Sequence, residues 1–122
     1  MRIFKNAWFG RFARREKITD AVLKDAIARA ERAIIDAELG GGVIKQRIAR
    51  PGQGRSGGYR SIIIFQKGER AIFVYGFAKS DREDIEPDEL AGFKKLAKEW
   101  FTFSDQKIDA MINNQELTEI GP

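Results

Sequence analysis

The chain has 122 residues, a hydrophobic fraction of 43%, a charged fraction of 33% and a formal charge of +4, the balance of one globular domain and not of a disordered segment. It contains no cysteine and no histidine, which excludes disulfides, thiolate metal sites and cysteine nucleophiles and removes the commonest metal ligand and neutral-pH base. No apolar run nears the roughly 20 residues that span a bilayer, and the N-terminus lacks a signal peptide's apolar core, so a cytoplasmic protein with no membrane partner is expected.

Met1 to Lys5 reads as a short strand. Trp8, Phe9 and Phe12 follow at helical spacing with Arg11, Arg14 and Arg15 between them, predicting a short basic helix. Thr19 or Asp20 can cap a longer helix whose Leu23, Ala26, Ile27, Ala30 and Ile34 form one apolar stripe. Lys24, Asp25, Arg29, Glu31 and Arg32 fall on its wet side. Gly40-Gly41-Gly42 is expected to end it, because glycine takes the left-handed conformation favoured past a helix C-terminus.

Val43 to Arg50 alternates like a half-exposed strand, and the glycines and proline of Pro51 to Gly58 read as a loop. Tyr59 to Gln66 predicts a strand, Lys67-Gly68-Glu69 a hairpin turn, and Ala71 to Ala78, apolar on both faces, the most buried strand. Pro87 and Asp88 open an amphipathic helix with Leu90, Phe93, Leu96, Ala97 and Trp100 inward. Ser104 can cap a last short helix carrying Ile108, Met111 and Ile112, and Glu116 to Ile120 can add an edge strand. The expected fold is α+β, in the order β-α-α-β-β-β-α-α, with helices on one face of a small, mostly antiparallel sheet. A single domain covers residues 1–122.

Charge is distributed unevenly along this frame. Between Leu39 and Gly68 there is no Asp or Glu, while Lys45, Arg47, Arg50, Arg55, Arg60 and Lys67 all fall there. Like charges on a small sheet repel one another, so a one-signed set points to a polyanionic partner. Asp81, Glu83, Asp84, Glu86, Asp88 and Glu89 crowd around Arg82 and read as carboxylates near a helix N-terminus, without the spacing of a metal site.

Gly54-Arg55-Ser56-Gly57-Gly58-Tyr59-Arg60, followed by the strand Phe73-Val74-Tyr75-Gly76-Phe77-Ala78 and Lys79, resembles the RelE/ParE toxin superfamily, and within it the RelE-like, HigB-like toxins of bacterial type II toxin–antitoxin modules. The Leu39-Gly40-Gly41-Gly42 ending and the Val43-Ile44-Lys45-Gln46-Arg47 strand extend the likeness over nearly the whole chain. The resemblance implies a ribosome-associated endoribonuclease that cuts mRNA, needs no metal or other cofactor, and is held inactive by a cognate antitoxin. In such toxins a ribose 2′-hydroxyl attacks the adjacent phosphate, leaving a 2′,3′-cyclic phosphate and a 5′-hydroxyl. Arg60 maps onto the arginine that holds the scissile phosphate, Arg55 onto a basic residue before the small-residue turn, and Lys79 onto a basic residue ending the fourth strand. Ser80 stands where a second catalytic cation is found, and no tyrosine lies near Glu86, so a tyrosine acid/base step does not carry over.

Chemistry from below agrees. Guanidinium groups fixed around a phosphorane stabilise the charge it gains, and arginine's planar fork pairs with two phosphate oxygens at once. Lys45 or Lys79, each set among cations, is the expected general base because neighbouring like charges favour the neutral amine. Arg47, Arg50, Tyr59 and Arg82 complete the set as candidate RNA contacts. The plainer alternatives are solvated strand cations at Lys45, Arg47 and Arg50, a structural salt bridge at Arg60, and hairpin packing at Tyr59 and Tyr75. A gyrase-inhibiting ParE-like toxin and a module that binds RNA or antitoxin without cutting remain alternative functions.

Overall fold

The computed structural model describes residues 1–50 and 54–121, and of residues 54–56 the backbone alone; Pro51, Gly52 and Gln53 of the expected loop lie outside the described residues. The elements run β1 (Arg2–Asn6), α1 (Ala7–Glu16), α2 (Asp20–Glu31), β2 (Ala37–Gly40), β3 (Val43–Arg50), β4 (Gly54–Gln66), β5 (Arg70–Ala78), α3 (Pro87–Trp100), α4 (Asp105–Asn113) and β6 (Leu117–Ile120). The strands form one sheet in the order β2-β3-β4-β5-β1-β6, and β1 beside β5 is its parallel pair. The fold is α+β with a mostly antiparallel sheet, as expected, and the C-terminal segment is an edge strand against β1.

Gly54 to Gly58, expected as part of a loop, instead open β4, with Gly54 paired to Arg50 of β3, and two further features differ from the expected frame. The second helix ends at Glu31, short of Ile34, which is 52% exposed. Ala33 takes the left-handed conformation at φ 63°, and the chain then runs out as β2 to pair with β3. What holds this connector is tertiary. Gln46, fully buried, donates to the carbonyls of Ala26 and Ile34 at 3.0 and 3.1 Å and accepts from the Asp36 amide at 2.7 Å. Gly40, Gly41 and Gly42, all at positive φ, therefore turn a β2–β3 hairpin and do not stop a helix.

The second difference is that helices cover both faces of the sheet, not one. On one face α1 and α2 place Phe9, Phe12, Leu23, Ala26 and Ile27 against Ile44, Ile48, Tyr59, Ile63 and Phe73. On the other, α3 and α4 place Ala97, Trp100 and Ile108 against Phe4, Val43, Ile62, Ile64 and Ile72. Strands β4 and β5 are apolar on both sides, so each side must be kept from water. Within α3, Leu96 was expected inward but is 37% exposed.

The helix caps follow the sequence. Asn6 accepts from the Phe9 amide to start α1, Thr19 from Val22 to start α2, and Ser104 from Lys107 to start α4. At α3, Pro87 occupies the first turn and the Glu89 carboxylate accepts from the Glu86 amide at 2.7 Å. Part of the acidic stretch thus serves a helix terminus. No helix among the described residues is long and apolar enough to cross a membrane.

Candidate functional site

Side chains alternate along a strand, so register decides which cations meet. Arg47 of β3 pairs with Arg60 of β4, which pairs with Phe77 of β5, and Lys45 lies two residues from Arg47. This puts Lys45, Arg47 and Arg60 on the face that α3 and α4 cover lower down. Because α3 begins only at Pro87, the upper end of that face stays open. The result is a cleft of about 260 Å³ lined by Asp36, Ala37, Lys45, Arg47, Arg60, Lys79 and Glu83.

Arg60 is the most enclosed of these cations, at 7% exposure. Its guanidinium donates to the Gly58 carbonyl at 3.4 Å, and among the described residues no carboxylate pairs with it. A buried cation without a counter-ion is costly, because the interior returns little of the hydration it loses. Its cross-strand neighbour Arg47 adds like-charge repulsion. Among the described residues no ion pair offsets this cost, whereas an anion entering the cleft would.

Arg47 is held from behind. Asp36 accepts its amide at 2.6 Å, and Arg29 donates to its carbonyl at 2.7 Å while lying 3.7 Å from Asp36. Arg29, expected on the wet side of the second helix, is instead 5% exposed and also pairs with Asp25 at 3.1 Å. Lys45 does not sit among cations alone. Its ammonium donates to Asp84 at 3.0 Å. Burial would push the Asp84 carboxyl up, but the hydrogen bonds from Lys45 and the Ile85 amide outweigh it and hold it below the ordinary value. Lys79 is exposed at the cleft wall, just past the end of β5.

The remaining expected residues lie elsewhere. Arg55 belongs to β4, and its side chain is outside the described residues. Tyr59, one residue out of phase with Arg60, faces α1. It is 2% exposed, its ring meets Phe12 edge-on, and its hydroxyl donates to Glu16 at 2.9 Å. Burial pushes the Tyr59 phenol up and the Glu16 carboxylate pushes it further, while that hydrogen bond holds Glu16 below the ordinary value. Arg50 lies over the Tyr59 ring at 5.4 Å, so it too belongs with this opposite face. Arg82 makes a bidentate pair with Glu89, donates to the Tyr75 hydroxyl at 3.0 Å and to the Asp84 carbonyl, and is thereby tied to the β5–α3 connection. Its guanidinium is pushed up, first by the hydrogen bond to Glu89 and then by that to Tyr75.

Four of the expected cations therefore converge, and the cleft adds two carboxylates that the sequence did not single out for it, Asp36 and Glu83. The sequence model of the family described as "RelE toxin of RelE / RelB toxin-antitoxin system" matches residues 1–120. The chain belongs to the RelE toxin family. It is thus a toxin-family member of a toxin–antitoxin system, and that membership implies an antitoxin partner. No curated protein matches the chain significantly. For a RelE-family chain the open end of the sheet is the place to look for chemistry, because there the cations lie together and the helices leave them uncovered.

Proposed function

We propose that the protein is a cytoplasmic, ribosome-associated mRNA endonuclease, inhibited by a cognate antitoxin that covers or distorts the cleft around Arg60. The observation that carries the reading is Arg60 itself, a buried guanidinium with no carboxylate partner among the described residues, at the base of a cleft shared with Lys45, Arg47 and Lys79. RelE-family membership supports RNA as the anion and a strand scission that uses no metal or other cofactor.

In this reading the scissile phosphate enters the cleft and Arg60 pairs with its non-bridging oxygens. The 2′-hydroxyl attacks phosphorus, the bond to O5′ breaks, and a 2′,3′-cyclic phosphate and a 5′-hydroxyl result. Negative charge grows on the phosphorane oxygens, and cations already fixed in a partly dry cleft stabilise that charge without having to reorganise. Arg47, anchored by Asp36 and Arg29, and Lys79 at the cleft wall flank the phosphate. Arg55 adds charge from β4. Arg50 and Arg82, away from the cleft, act on RNA only as steering charges.

The test is a translating extract supplied with purified protein, followed by mapping of mRNA ends. Cuts phased with codons support the proposal. DNA breaks that depend on gyrase, with intact mRNA, would replace it with ParE-like action, and binding without either would leave a non-cutting module.

A further inference from the structure

Few groups at the cleft can accept a proton. The chain has no histidine, and both tyrosines are engaged elsewhere, Tyr59 with Glu16 across the sheet and Tyr75 with Arg82. Arginine and protonated lysine offer donors but no lone pair. Lys45 is already ion-paired with Asp84 at 3.0 Å. Of the two carboxylates on the wall, Asp36 already accepts the Arg47 amide and faces Arg29. Glu83 is exposed, lines the same cleft as Arg60 and Lys79, and makes no hydrogen bond or ion pair among the described residues.

We infer that Glu83 is the general base of the cleavage reaction, and that Lys79 is its general acid. This rests on the reading of the cleft as an RNA-cutting site. The Glu83 carboxylate takes the 2′-hydroxyl proton as the O2′–P bond forms. The Lys79 ammonium gives a proton to O5′ as the P–O5′ bond breaks, and solvent exchange returns both groups to their starting states. Glu83 lines the same cleft as Lys45, Arg47, Arg60 and Lys79, so the cations that hold the phosphate bring the 2′-hydroxyl to the carboxylate's side of the cleft. Lys79, one of the two lysines expected as base, becomes the acid.

Single-turnover cleavage of mRNA on programmed ribosomes tests this, with binding measured in parallel. Glu83→Gln should slow cleavage by about 10²–10⁴-fold and leave binding unchanged or tighter, since a negative charge leaves the cleft. A substrate with sulfur in place of the bridging 5′ oxygen, whose leaving group needs no proton, should restore Lys79→Met but not Glu83→Gln. Wild-type cutting with Glu83→Gln within about threefold of it would overturn the inference and leave the cleft reading standing. Rescue of Glu83→Gln by the sulfur substrate, or a loss of binding that matches the loss of rate, would also overturn it. Failure of the wild-type protein to cut at all would overturn both.

Discussion

Replacing Arg60 by methionine should make the protein more stable and less active at once. The side chain is 7% exposed, has Phe77 across the strand pair on one side and Arg47 on the other, and gains only a 3.4 Å hydrogen bond to Gly58. Such a bond is worth less than about 1 kcal/mol net, whereas burying an ion costs several kcal/mol that an opposite charge would have to offset. Methionine keeps much of the length, fits irregular space and removes the charge. The expected change is a gain of about 1–3 kcal/mol, or a rise in Tm of at least about 3 °C for a domain of this size. Losing one transition-state donor should lower the cleavage rate by about 10²–10³-fold. Thermal denaturation and single-turnover cleavage on the same preparations measure both. A destabilisation of more than about 1 kcal/mol would refute the reasoning, because Arg60 would then be serving the fold and not an incoming phosphate.

Gln46→Ala removes one buried and two part-buried hydrogen bonds that fix the α2–β2 connector, and should cost about 2–4 kcal/mol by urea denaturation. Asp84→Asn releases Lys45 toward the cleft; an exposed pair is worth about 0.2–1 kcal/mol, so RNA should bind up to about fivefold tighter in a titration at low salt. Glu119 is held below its ordinary value, first by the hydrogen bond from Arg2 at 2.9 Å. Its contribution to stability is therefore full above the unfolded value of about 4.3 and declines as pH falls through the lower folded value. Denaturation midpoints measured from pH 6 down to pH 2 should fall less for Glu119→Gln than for the wild-type protein.

Much of the frame is legible in the sequence because the signals are local. Period-2 and period-3.6 patterns mark β4, β5, α1, α3 and α4, and cap residues mark where the helices begin. The end of α2 is not legible, since it depends on Gln46 reaching from β3 to a connector ten residues earlier in the chain. The two-sided covering of the sheet was available in principle. Ile62-Ile63-Ile64 and the apolar run of β5 need helices on both sides, although periodicity does not say which helix goes where. At the site, strand phase alone separates Arg60 from Tyr59 and brings Arg47 and Lys45 to the Arg60 side. Glu83 and Asp36 carry no such signal, because both sit on connections whose paths are set by tertiary contacts.

The chemistry of the fragment ends distinguishes 2′-hydroxyl attack from every other route of strand scission. If Arg60 and its neighbours promote attack by the 2′-hydroxyl, every cut made by the protein leaves a 5′-hydroxyl and a 2′,3′-cyclic phosphate or its opened form, and Arg60→Met leaves the same ends at a far lower yield. Fragments that carry a 5′-phosphate and a 3′-hydroxyl, or full-length mRNA from a translating extract that the protein has stalled, would contradict it.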